Sequence, residues 1–147
     1  MTPTSFFVPG TPAPQGSKKH VGNGVMIESS KHLKPWRERV AWLARQHIRR
    51  SHTGPVKLEM QFYFRRPKRH YGTGRNSDNL KLSAPAMHTQ KPDIDKLERA
   101  ILDALTGIAY IDDSQVVKVV KSKQWRLSQS IDPGVQITVT PVKEAAE

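Results

Sequence analysis

The chain has 147 residues, 24 Lys and Arg against 13 Asp and Glu, a formal net charge of +11 and no cysteine. That length fits one domain, residues 1–147, able to bury about two thirds of its unfolded surface, and the lack of cysteine excludes a disulfide scaffold, a thiolate zinc site and a cysteine nucleophile. No segment approaches the roughly 18 apolar residues of a membrane span, and the opening M-T-P-T-S-F-F-V-P-G-T-P lacks the basic and apolar regions of a secretory signal, so the expectation is a soluble basic chain with a polyanionic partner, chiefly nucleic acid.

Residues 4–8 read as a short strand, after which Pro9, Gly10, Pro12, Pro14, Gly16, Gly22 and Gly24 mark turns. Residues 25–28 carry a weaker strand signal. Residues 34–50 predict a helix. Pro35 suits a first helical turn. Trp36, Val40, Leu43, Ala44, His47 and Ile48 fall near a 3.6-residue period, with Arg37, Arg39, Arg45, Arg49 and Arg50 opposite. That basic face is either solvated or laid along phosphates.

In residues 56–64, Val56, Leu58, Met60, Phe62 and Phe64 alternate with Lys57, Glu59, Gln61 and Tyr63, the pattern of a half-buried strand. Residues 65–91 look irregular and strongly basic. They carry Arg65, Arg66, Lys68, Arg69, His70, Arg75, Lys81 and Lys91 against Asp78 alone, with Tyr71 available to stack on a base. The alternative is a disordered, solvated loop.

Residues 93–106 predict a second helix. Leu97, Ile101, Ala104, Leu105 and Ile108 lie on its apolar side, and Gly107 follows as a C-terminal cap. Residues 108–113 are a short connection, 116–125 a strand, 128–134 a turn and 135–141 a last strand, with a fraying tail. The order βαβαββ predicts an α+β fold: a mainly antiparallel or mixed sheet of about four strands with two main helices packed against it.

Asp93, Asp95, Glu98, Asp103, Asp112 and Asp113 are nearly half of the 13 acids and fall within one short window opposed only by Lys96 and Arg99. An acidic spot repels phosphate unless a cation sits there. Asp93 and Asp95 enter the second helix, where the partly positive N-terminus favours carboxylates. Asp112 and Asp113 precede the next strand. If that strand returned beside the helix entry, the two groups would converge, and their repulsion would be relieved by a hard divalent cation such as Mg²⁺. The simpler readings are that Asp93 caps the helix, that Asp112–Asp113 is a turn, that Asp103 pairs with Arg99 on the surface, and that Glu98 is solvated. His20, His32, His47, His52, His70 and His88 show no zinc spacing. His47 reads as packed, and His88 stands only four residues before Pro92.

K-P-D-I-D-K-L-E-R-A-I-L-D-A-L-T-G at 91–107 followed by I-D-D-S-Q-V at 111–116 resembles the RusA family of Holliday junction resolvases, as does the N-terminal P-G-T-P-A-P-Q-G-S-K-K. The resemblance implies a RusA-like fold and a homodimer that binds four-way DNA junctions and cuts symmetrically related strands with Mg²⁺, for which Mn²⁺ substitutes. It implies a phage or prophage protein acting in the bacterial cytoplasm, with no membrane and no small-molecule substrate. The family's essential acids fall on Asp93, Asp95 and Asp113, with Asp112 beside them as a further ligand. Its helix lysine falls on Arg99 and its asparagine on Lys96, so neither role transfers unchanged. Lys18, Lys19, Arg65, Arg66, Lys68, Arg69, Arg75, Lys91 and Lys96 are the expected DNA contacts. The rival readings are a noncatalytic nucleic-acid-binding protein, a metal nuclease for other branched DNA and, more remotely, a phage structural protein.

Overall fold

The computed structural model describes residues 2–16, 18–20, 26–28 and 31–143. In chain order the strands and α-helices are β1 (Thr4–Pro9), β2 (Lys18–His20), β3 (Met26–Glu28), α1 (Leu33–His47), β4 (Val56–Phe64), α2 (Ile94–Leu105), β5 (Val116–Trp125) and β6 (Gly134–Pro141). The expected α+β architecture is present. A four-stranded mixed sheet has the order β1-β6-β4-β5, while β2 and β3 form a separate antiparallel pair. Val25, part of the expected strand at 25–28, lies outside the described residues, and β2 carried no clear sequence signal.

The main core lies between one sheet face and the two helices. Val56, Leu58, Met60 and Phe62 of β4 are fully buried, as are Val135, Ile137 and Val139 of β6. Leu97, Ala100, Ile101 and Leu105 bring α2 down onto them, and Trp36, Val40 and Ala44 do so for α1. α1 ends at His47, not at residue 50, and Ile48 is already extended. His47 stacks on Phe6 with ring centroids 5.2 Å apart but stays exposed, so it is a surface residue and not the packed one expected.

The pairing of β4 with β5 is parallel, whereas β4–β6 and β1–β6 are antiparallel. A parallel neighbour demands a crossover from the end of one strand to the start of the next. Residues 65–93 and α2 make it. α2 therefore runs opposite to both strands, with its N-terminus beside their ends and its C-terminus beside their starts. Side chains confirm the direction: Lys121 of β5 pairs with Glu98 at 2.6 Å, and Lys123, further along the strand, reaches the carbonyls of Gln90 and Pro92. Glu98 is thus a tie between helix and strand, not the solvated residue expected.

The C-terminus of α2 is closed by Gly107, whose φ of +85° takes the left-handed turn a capping glycine supplies. Tyr110 is fully buried, and its hydroxyl donates to the Leu102 carbonyl at 2.7 Å. Burial holds the phenol well above its ordinary range. Tyr110→Phe removes this bond, while the Leu102 carbonyl keeps the Thr106 N–H at 3.2 Å and the Thr106 hydroxyl at 2.8 Å as donors. The expected loss is about 1 kcal/mol, read in urea as a lower midpoint with unchanged slope. An unchanged midpoint would show that the hydroxyl does not hold the turn.

Candidate active site and nucleic-acid interface

At the N-terminal end of α2, Asp93 occupies the capping position, but its carboxylate makes no capping hydrogen bond. It accepts instead from the Lys91 ammonium at 3.0 and 3.1 Å, with Lys96 at 3.7 Å. The Lys91 hydrogen bond holds the Asp93 carboxyl below its ordinary value, with the Lys91, Lys96 and Lys123 charges adding to it against partial burial. Asp95 lies one helical step on, facing solvent, with Arg99 at 4.0 Å. The interior-facing Lys123 donates to the Gln90 carbonyl at 2.5 Å and to that of Pro92 at 2.9 Å, fixing the turn that enters the helix. Sequence reasoning missed Lys123. The available signal was the alternation Val119, Lys121, Lys123, Trp125, which sets two cations on the inward side of a strand.

At the other end of α2, Asp112 starts a 3₁₀ turn (Asp113–Gln115) and accepts from the Ser114 N–H at 2.9 Å. Gln115 locks the turn. Its amide oxygen accepts from the N–H groups of Ile111 and Asp112, and its amide nitrogen donates to the carbonyls of His52 and Gly54, all within 3.0 Å. The two adjacent carboxyls titrate in opposite directions. The Ser114 bonds hold Asp112 down. Desolvation by the surrounding chain, then the hydrogen bond and charge of Asp112 and the charge of Asp103, push the exposed Asp113 up. No described cation forms an ion pair with Asp112 or Asp113.

The expected convergence of Asp93, Asp95, Asp112 and Asp113 does not occur within one chain. Among the described residues, no three His, Asp or Glu side chains stand close enough to hold one metal ion. The cause is the parallel crossover. The aspartate pair precedes β5, and β5 starts at the C-terminal end of α2, so about 18 Å of helix separates the two acid groups. The end of β5, not its start, returns to Asp93. Asp103 also differs from expectation: it takes Arg37 at 3.7 Å and the Gln15 amide as partners, leaving Arg99 to Asp95.

The basic stretch at 65–91 is ordered against the end of the sheet. Two short 3₁₀ turns (Lys68–His70 and Gly74–Asn76) shape it, and Tyr71 bridges to Leu80. Trp125 is its anchor. His88 lies 4.2 Å and His70 5.1 Å from its ring centre, Phe64 backs His88 at 4.6 Å, and the Arg66 guanidinium sits over the indole at 5.3 Å. The indole N–H donates to the Met87 carbonyl at 3.2 Å. His88 is therefore a buried packing residue at the end of the sheet, not a side chain that reaches the acids. Arg65, Arg66, Lys68, Arg69 and Arg75 pair with no carboxylate among the described residues. Their charge stays available, whereas Lys91 and Lys96 are engaged by Asp93. The expectation for Lys18 and Lys19 falls on side chains outside those described.

Two comparisons bear on this arrangement. The family model described as Endodeoxyribonuclease RusA matches residues 9–140. The uncharacterized protein YqaN of Bacillus subtilis (strain 168) is similar to the chain, with 32% identity over 142 residues, covering 93% of this chain and 95% of that protein.

The two histidines make the loop's anchorage sensitive to pH. His70 is held below the ordinary 6.5 by burial and then by Arg66, Arg69 and Lys81, and His88 by burial and then by Lys123. Each binds a proton more readily in the unfolded chain. Stability is therefore full above about pH 6.5 and falls as the pH drops below it towards the folded values. The urea midpoint followed by tryptophan fluorescence is expected to drop between about pH 7.5 and 5.5. The drop should be smaller in a His70→Gln, His88→Gln variant. Equal pH dependence in both proteins would count against the assignment.

Proposed function

The chain belongs to the RusA family of endodeoxyribonucleases and Holliday junction resolvases, and from that premise we propose that it resolves four-way DNA junctions by symmetric, metal-dependent phosphodiester hydrolysis as a homodimer. The observation that carries this reading is that the matched span contains both acid motifs, one at each end of α2. Asp93, Asp95 and Asp113 are the proposed catalytic acids, with Asp112 beside them as a ligand and Arg99 supplying charge at the phosphate. The phage or prophage origin and the bacterial cytoplasm belong to the same reading.

The four carboxylates of a single chain do not fit one ion as a set, because they lie at opposite helix ends. A second copy removes that obstacle. Two α2 helices antiparallel across a two-fold axis bring the start of one beside the end of the other. The proposal is that Asp93 and Asp95 of one subunit act with Asp113 of the partner subunit and Asp112 of the partner subunit toward one Mg²⁺, with Mn²⁺ able to substitute. Such an ion, when bound, makes water a better nucleophile and offsets phosphate charge.

The chain's own cations have a definite part. Lys91, Lys96 and Arg99 neutralise Asp93 and Asp95 through ion pairs that are largely open to solvent. Exposed pairs are weakly held, so these side chains transfer readily to an incoming phosphate. Arg99 is best placed for charge on the reacting group, and Lys91 and Lys96 for the flanking backbone. The bases are not read by this set, so junction choice comes from shape and from the spacing of two sites.

A synthetic four-way junction with Mg²⁺ is expected to give paired, symmetric nicks that vanish with EDTA and with Asp95→Asn. Equal cutting of linear duplex would contradict junction selectivity. Asp93→Asn and Asp113→Asn should each be inactive alone. Their mixture should regain nicking, because one of the two sites in a mixed dimer then keeps every acid. A mixture that stays inactive although mixed dimers form would contradict the shared site. Asp113→Asn should also unfold at a urea midpoint no lower than the parent, since it removes a like charge beside Asp112.

A further inference from the structure

Beyond the end of β5 the molecule has a two-sided recess that neither acid group uses. One side is a cavity of about 710 Å³ lined by Arg65, Arg66, Lys68, Arg69, Lys81 and Arg126, with Asp78 as its only carboxylate. None of these cations pairs with an acid among the described residues. The Arg126 Nε is buried without a hydrogen-bond partner, while its Nη1 donates to the Ile131 carbonyl at 3.3 Å. The other side is an adjoining cavity of about 530 Å³ walled by apolar groups of Leu80, Ala86, Met87 and Leu127. Met87 is 74% and Leu127 79% exposed, so this apolar wall is open to an incoming ligand. Tyr71, Arg66, Arg126, Gln129 and the carboxylate-bearing Asp78 line both cavities and stand at their junction.

We infer that this recess binds an unpaired DNA strand, with its phosphates on the cation side and a base against Tyr71 on the apolar side. The chemistry of the two walls selects the ligand. Free phosphate or a duplex backbone satisfies the cations but has nothing for the apolar wall, because duplex bases present only their edges. An unpaired nucleotide offers both a charged backbone and a π-face, the pairing that single-strand sites use. Each cavity is of the size that holds a small ligand, about 300–1,000 Å³, which suits one or two nucleotides. Arg126 and Gln129 join the site from outside the 65–91 stretch that sequence reasoning singled out.

The place of the recess relative to the acids gives it a role. It begins at Arg126, and Lys123, three residues earlier, holds the Pro92 carbonyl beside Asp93. Three strand residues span about 10 Å, the reach of one or two nucleotides. On the nuclease reading, which this role assumes, the recess holds the strand next to the one being cut where arms of a branched DNA open. The binding itself does not depend on that reading.

The test measures binding without cleavage. Fluorescence anisotropy in EDTA compares a labelled oligothymidylate with a blunt duplex of equal charge, using the full chain. The parent is expected to bind both. Arg69→Gln with Lys81→Gln, two exposed positions, should weaken oligothymidylate binding by about tenfold or more and lower its salt slope by about 1.4, with a smaller loss on the duplex, which engages the cations alone. Tyr71→Ala should weaken the single strand about tenfold, and Tyr71→Phe should restore it. Equal losses on both ligands, or no loss on either, would overturn the inference. Junction cleavage by the same Gln variant separates the two readings: lost strand binding with retained nicking upholds the recess and removes its role in the reaction, whereas unchanged strand binding refutes the recess whatever the cleavage result.

Discussion

The parallel pairing of β4 with β5 is the constraint on which the functional layout depends. It obliges the chain to leave the end of β4, cross one sheet face through α2 and re-enter at the start of β5. Everything placed between β4 and α2 therefore gathers at one end of the molecule and everything placed between α2 and β5 at the other. Asp93, Asp95, Lys123 and the basic stretch share the first end. Asp112, Asp113 and the Gln115 lock share the second. The 18 Å or so of helix between them is a consequence of topology.

Charge follows the same division. The carboxylates at the start of α2 are neutralised by Lys91, Lys96 and Arg99 in pairs open to solvent. Those at its end have no described cation in an ion pair, and Asp113 is reluctant to ionise, through desolvation first and then through Asp112 and Asp103. One group is compensated and the other is frustrated. A second subunit that brings the uncompensated pair toward Lys91, Lys96 and Arg99 and a bound cation would relieve that frustration, which gives the proposed dimer an electrostatic reason to form its site as well as a geometric one. The cations from Arg65 to Lys81 sit on a stretch anchored by the packing of Trp125 against His70 and His88, with Phe64 behind His88, and pair with no carboxylate among the described residues.

Much of the fold was legible because its signals are local. The alternation from Val56 to Phe64, the apolar side of Leu97, Ile101, Ala104 and Leu105, and the glycine at 107 each state their own structure. What was not legible is non-local. Period-two patterning in β5 does not say which strand it joins or in which direction, and an antiparallel expectation sent Asp113 to the wrong end of α2. The order in residues 65–91 was hidden for a related reason: its anchors are Phe64 and Trp125, the last residues of two strands 61 positions apart. The roles of Glu98 and Lys123 depended on the same register. The acid motifs were found from residue type and spacing, while their relative positions required the topology.

The chain contains no cysteine, so spin labels can be placed at Asp95→Cys and Asp113→Cys without background. Pulsed dipolar spectroscopy on doubly labelled chains diluted into unlabelled protein reads the distance within a chain, and an equal mixture of the two singly labelled chains reads the distance between chains. The account requires an intrachain separation of roughly 20 Å or more and a distinctly shorter distance between chains. A short intrachain distance, with the interchain pair far apart or absent, would contradict it.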